Sequence, residues 1–211
     1  MKEDFDLSAL PLPFDVIPES TSSLKDCAFH QIRQLLEKQG EYTKIEEDCL
    51  DDGFILCDLT VVVRKYRAWQ SMFPRVQPCF ALKCNPDPMV AAVSAQNGAG
   101  FDCASIAELQ LAKNSSQRCM SGMIVYANPQ RAERDLDLAL EMFEHPVPMT
   151  FDGPEELHKI YSAYQKQLEI NPRAEAPQMI LRLLVPDEHS TVPLGEKFGA
   201  ADTTIESLTQ T

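Results

Sequence analysis

The residues best placed to do chemistry lie close together in the middle of the chain. Phe80-Ala-Leu-Lys83 is an apolar run that ends in one lysine and then turns through Cys84-Asn-Pro86. Such a lysine, at the C-terminal end of a buried strand, is expected in a partly desolvated position. Desolvation favours the neutral amine, which can attack an aldehyde and form a Schiff base. Read alone, Lys83 is better taken as an ordinary loop lysine. Gly100-Phe-Asp102-Cys follows as a second short strand and runs into Ala-Ser105-Ile-Ala-Glu108. Asp102 could pair with the lysine and tune it, or cap the next helix. Glu108 stands three residues after Ser105, the spacing of a capping box. Arg182 sits within Met179-Ile-Leu-Arg182-Leu-Leu. An arginine in an apolar strand is expected to be buried and to face an anionic partner. Lys197 in Glu196-Lys-Phe-Gly199 reads, in isolation, as a surface lysine. His30, His145, His158 and His189 receive no role, and there is no GxGxxG, P-loop or HExxH pattern.

These side chains need a scaffold that brings strand ends together. Strand-like runs start near Val76, Gly100, Gly122, Val147 and Gln178, with helical stretches near 87–97, 105–114, 129–143 and 154–168 between them. Asp87-Pro88, Asn128-Pro129 and Asp152-Gly-Pro154 each put a capping residue at or just before a proline suited to a first turn. The alternation predicts an α/β fold of βαβ units around a parallel sheet. In such folds function gathers at the C-terminal ends of the strands. The polar residues there are Lys83, Asp102, Tyr126 with Asn128, Asp152 and Arg182.

Upstream, residues 1–49 read as a leader with three prolines and a helix over 24–39, where Ala28, Phe29, Ile32, Leu35 and Leu36 share a face. The remainder, 50–211, reads as one α/β domain. It opens with a short strand, Phe54–Cys57, and a helix that Asp58 can cap, striped by Leu59, Val62, Val63, Tyr66, Trp69 and Phe73. A last helix starts near Asp202.

The chain has 211 residues, 44% of them hydrophobic, and a net charge of -13. That acidity argues against nucleic acid or an anionic membrane as partner, and it suits a cationic substrate. The seven cysteines form no CxxC pair and no zinc-spaced cluster with histidine, so no metal is expected. Unpaired cysteines in predicted strands suit a reducing cytosol. Glu3, Asp4 and Asp6 at the start leave no signal-peptide pattern, and no stretch approaches the ~20 apolar residues of a membrane span.

LKCNPDP, then GFDCAS, then AEL resembles the pyridoxal 5'-phosphate (PLP) binding segment of the ornithine decarboxylase family, which also holds diaminopimelate and arginine decarboxylases. The resemblance runs from about residue 50 to Ala200. It implies an alanine-racemase-like (β/α)8 barrel, with Lys83 as the Schiff-base lysine and Asp102, Glu108 and Arg182 beside the cofactor. It also implies that Lys197 forms a salt bridge across a homodimer, and that the substrate is an amino acid. Ornithine, on its way to putrescine and the polyamines, is suggested by Cys84-Asn85 after the lysine and by FDCAS. A barrel needs about 250 residues, so five of eight strands are expected here. The family's later parts are absent from the sequence: a histidine stacked on the ring, a glycine-rich phosphate loop, a glutamate on the pyridine nitrogen and a second β-domain. The chain therefore reads as an N-terminal portion, inactive alone. Two other readings stand beside it, a non-catalytic relative that sequesters antizyme and a single-domain PLP-homeostasis protein. The family's antizyme-binding region is basic, whereas Arg131 to Glu144 here is mixed to acidic, which argues against antizyme binding.

Overall fold

The computed structural model of the chain describes residues 57–116, 123–185 and 199–208, together with Ser23, Asp26, Ala28, Phe29 and Thr191. It divides into two compact units, Met1–Val62 and Val63–Thr211. In the first, Asp26, Ala28 and Phe29 are helical, as the periodicity predicts. The rest of the expected leader and helix, and most of the Phe54–Cys57 strand, lie outside the described residues. Asp58 Oδ1 accepts from the Thr60 amide at 3.0 Å, at the start of α1 (Thr60–Met72), as expected of a capping residue.

The second unit is built on five parallel strands in sequential order: β1 (Cys79–Ala81), β2 (Gly100–Cys103), β3 (Ile124–Tyr126), β4 (Met149–Phe151) and β5 (Met179–Leu181). Helices α2 (Pro88–Gln96), α3 (Ile106–Ser116), α4 (Glu133–Met142) and α5 (Pro154–Ile170) connect them, and each packs against the next. A short helix α6 (Asp202–Leu208) follows. Five successive parallel strands with their crossover helices form part of a (β/α)8 barrel, the predicted fold class.

Strand alternation sets the two faces of this sheet. Phe101, Cys103, Tyr126, Met149 and Phe151 are buried in one core with Ala91, Ala95, Leu109, Ala112, Leu136, Ala139, Ile160 and Ala163 from the helices. The residues that alternate with them, Ala81, Asp102, Val125, Thr150 and Ile180, belong to the face away from the helices. Small helix residues let α2 to α5 approach the strands closely. α2 is buried nearly all round, and its sequence, PMVAAVSAQ, is correspondingly apolar on every side.

Two boundaries differ from expectation. β1 starts at Cys79 rather than near Val76, because Pro78 has no N–H to give a ladder, and Val76 is exposed in the approach loop. α4 starts at Glu133 rather than at Pro129. Asn128 Oδ1 accepts from the Gln130 amide at 3.2 Å in a local turn, Pro129 is fully buried, and Arg131 is buried too, so the chain can turn helical only after it.

Candidate active site at the strand ends

The C-terminal rim of the sheet gathers the polar residues that the sequence places at strand ends. After Ala81 the chain leaves β1 through a 3-10 turn, Leu82–Cys84. Leu82 is fully buried and anchors the turn, and Lys83 is carried outward past the rim. Lys83 is therefore exposed rather than partly desolvated, and its amine has no hydrogen bond or ion pair among the described residues. Ala81 pairs with Asp102 on β2, so the lysine turn and the aspartate sit on adjacent strands, and the turn packs against β2.

Asp102 is half-buried within β2, between Ala81 and Val125. It does not cap α3. That role falls to Ser105 and Glu108: the Glu108 amide donates to Ser105 Oγ at 3.3 Å, and Glu108 Oε2 accepts from the Ala104 amide at 2.7 Å. One oxygen of Glu108 is thus committed to the helix start. The charges of Asp102 and Glu108 act on Cys103, whose thiol is pushed far up, first by burial and then by these carboxylates. Burial and then Asp102 also push the Cys79 thiol up, so the aspartate lies near both thiols.

Two other strand-end residues hold the rim together. Asn128 Nδ2 donates to Ala104 O at 3.3 Å, joining the end of β3 to that of β2. Asp152 follows β4 directly. It is not the cap of α5, whose first position is set by Gly153 and Pro154, and its Oδ2 instead accepts from the Gly199 amide at 3.1 Å. Tyr126, in contrast, faces the helices and not the rim. Burial, with Asp135 next, raises its phenol to about 12.

Arg182 departs from expectation. β5 stops at Leu181, and Arg182 lies one residue beyond it, exposed rather than buried in a strand. Past the strand the chain bonds on one side to β4 and on the other to residue 200. The Arg182 amide donates to Phe151 O at 2.9 Å, the Ala200 amide donates to Arg182 O at 2.8 Å, and Leu183 bridges Ala200 in parallel. Lys197 lies outside the described residues.

One ion pair escaped the sequence reading. Arg131, read there only as part of a mixed-to-acidic stretch, has a side chain with 0% exposure. Its Nε donates to Glu156 Oε1 at 2.8 Å, Nη1 donates to Tyr126 O at 3.4 Å, and Nη2 donates to Thr150 O. The guanidinium also lies 4.9 Å from the Tyr126 ring centroid. Lys159 Nζ reaches Glu156 Oε2 at 2.5 Å. A signal for Glu156 was available: it precedes buried Ile160 and Ala163 by four and seven residues, which puts it on the core face of α5. Arg131 lies before its helix, where no periodicity marks it.

Among the described residues no group of three or more metal-ligating side chains comes together, and no helix is long and apolar enough to cross a membrane. The family model for the pyridoxal-dependent decarboxylase, pyridoxal binding domain, matches residues 59–211. The chain belongs to this family. It is 36% identical over 150 residues to ornithine decarboxylase of Caenorhabditis elegans, covering 71% of this chain and 32% of that protein. It is 34% identical over 184 residues to antizyme inhibitor 2 of Xenopus laevis, covering 87% and 37%. Among solved structures, the arginine decarboxylase of Paramecium bursaria Chlorella virus bound to agmatine matches with a TM-score of 0.58 and 31% identity over 71% of this chain and 37% of that one. The chain spans about a third of the length of the curated relatives it matches. The cofactor of this family is pyridoxal phosphate, and the residues at the rim fit it. A primary amine without a partner suits an aldehyde, a neighbouring carboxylate can hold that amine, and a guanidinium at the same rim suits an anionic group.

Proposed function

We propose that this chain is the PLP-holding part of a decarboxylase for a basic amino acid, with ornithine the preferred substrate. The carrying observation is the exposed amine of Lys83, without a partner among the described residues, on the turn beyond β1 and beside Asp102 on the next strand. Lys83 holds the cofactor covalently through Nζ. Asp102 pairs with that amine and orients it. Arg182 offers its guanidinium to an anionic group at the far side of the rim, and Glu108 contributes the oxygen that the helix start leaves open. Bound PLP supplies a ring that accepts the electron pair left when CO2 departs. Lys197 serves a homodimer contact. Ornithine rests on the named relatives and on the motif around Lys83. The net charge of -13 supports a cationic substrate, and the free thiols Cys57, Cys79, Cys84 and Cys103 support a cytosolic setting.

The likeness to an antizyme inhibitor gives a second reading, a binding protein without catalysis. One experiment separates the two. The purified chain is titrated with PLP, followed by absorbance, and reduced with borohydride, with Lys83→Ala as control. Covalent labelling of the peptide that carries Lys83, lost in the variant, is expected. Equal labelling of the variant would remove the cofactor reading and leave the binding protein.

A further inference from the structure

We propose that Asp152 is a positioning residue, whose carboxylate latches the chain at Gly199 beside the end of β5 and so fixes Arg182 at the rim. The inference rests on the reading of Arg182 as part of the PLP site and adds the device that places it.

The sequence Asp152-Gly-Pro154 has the form of a helix start, yet its carboxylate is not spent there. Asp87, in the comparable Asp-Pro start of α2, accepts from the Met89 and Val90 amides at 2.8 and 3.0 Å. Asp152 makes no such cap and reaches a residue 47 positions away, at 3.1 Å. Three lanes of backbone run side by side at this place. Phe151 O accepts from the Arg182 amide at 2.9 Å, Arg182 O accepts from the Ala200 amide at 2.8 Å, and the Leu184 amide donates to Ala200 O at 3.0 Å. Arg182 thus has one backbone group bonded to each flanking lane. Asp152 joins the two outer lanes across it.

The third lane needs such a tie. Among the described residues its pairing with the β5 extension is a single bridge, Leu183 with Ala200, rather than a strand. Gly199 enters it at φ +126, where a Cβ would come 2.6 Å from Leu184 N and 2.7 Å from the Leu183 carbonyl carbon. Only glycine allows that approach. The close contact leaves the Gly199 amide to the side chain of Asp152. A carboxylate accepting from a backbone N–H is among the stronger hydrogen bonds, so a single side chain can hold a lane that its own ladder holds weakly.

The test uses the 211-residue chain with Asp152→Ala, Asp152→Asn, Arg182→Ala and the Asp152→Ala/Arg182→Ala pair. The first readout is amide hydrogen exchange without cofactor. In Asp152→Ala, exchange at Leu184 and Ala200 is expected to rise by about tenfold or more. The amides of α2 and α3 stay unchanged, and Asp152→Asn, which keeps an acceptor oxygen, stays near wild type. Unchanged protection at Leu184 and Ala200 in Asp152→Ala overturns the latch. The second readout is the PLP titration. If Asp152 acts through Arg182, its loss weakens PLP binding in the wild-type background and adds little once Arg182 is gone. Full additivity overturns the positioning role. A wild type that takes up no PLP at Lys83 overturns the cofactor reading instead, and the exchange data then decide the latch by themselves.

Discussion

Removing one partner of the buried Arg131–Glu156 pair should cost more than removing both. In Arg131→Met, Glu156 stays 3% exposed, keeps Lys159 at 2.5 Å and accepts from the residue 131 amide at 3.3 Å. The carbonyl of Thr150 loses its guanidinium donor, while that of Tyr126 keeps Thr150 Oγ1 at 3.3 Å. In Glu156→Leu the guanidinium is left with carbonyl partners and no counter-charge. Breaking a buried pair from one side costs about 3–5 kcal/mol. Arg131→Met should lie at the lower end, because Lys159 still compensates the carboxylate, and Glu156→Leu at the upper end. The double variant should cost only about 2 kcal/mol, chiefly for the carbonyl of Thr150, since an apolar pair of similar volume removes both desolvation penalties. Urea unfolding measures all three. At an m-value of about 2 kcal/mol/M, a loss of about 4 kcal/mol moves the midpoint by about 2 M, a large share of a total stability of about 5–15 kcal/mol. A double variant as damaging as the two singles together would refute the reasoning, and so would an Arg131→Met that costs less than about 1 kcal/mol.

Two further outcomes follow from the same core. The Tyr126 phenol stays neutral in the folded chain up to about pH 12, whereas the unfolded chain ionises near 10. Between these values the unfolded state binds fewer protons, so the contribution of Tyr126 is full below pH 10 and is lost as pH rises, by about 3 kcal/mol at most. Cys103, also raised by burial, adds a loss that starts from its ordinary value of 9.0. Urea midpoints at pH 8 and pH 11.5 should fall more steeply for wild type than for Tyr126→Phe, and equal slopes would contradict the assignment. Asp87→Ala should cost about 1 kcal/mol, because two amides at the start of α2 lose their acceptor, with Asp87→Asn close to neutral in the same unfolding assay.

The order of elements was legible because it rests on local chemistry. Asp87-Pro88 caps α2 as it reads, and Ser105 with Glu108 begins α3 as it reads. Asp152-Gly-Pro154 has the same form but a different use, because a long-range partner, the Gly199 amide, competes for its carboxylate. Asn128-Pro129 fails as a helix start for a related reason: Arg131 must turn inward to Glu156 before the helix can begin. Of the candidate residues, the order along the rim was legible, since the turn of Lys83 leaves β1 and Asp102 lies on the adjacent β2. Their exposure was not. Periodicity tells which face a residue shares, but it does not say where a strand ends, and both Lys83 and Arg182 lie just past strands of three residues.

Those short strands explain the character of the rim. A parallel ladder three residues long supplies few backbone bonds, and β3 meets β4 through one registered pair, Tyr126 with Met149. Side chains take over beyond the last ladder bond. Asn128 joins the end of β3 to that of β2, Arg131 binds the carbonyls of Tyr126 and Thr150 across β3 and β4, and Asp152 ties the lane after β5 back to β4. Each of these polar groups is satisfied within the protein and is unavailable for chemistry. Between β1 and β2 no side chain makes such a tie at the rim among the described residues, and the turn that carries Lys83 leaves β1 there, next to the strand of Asp102. The proposed role of Lys83 rests on that arrangement, a rigid frame on neighbouring strands and one seam that no side chain closes.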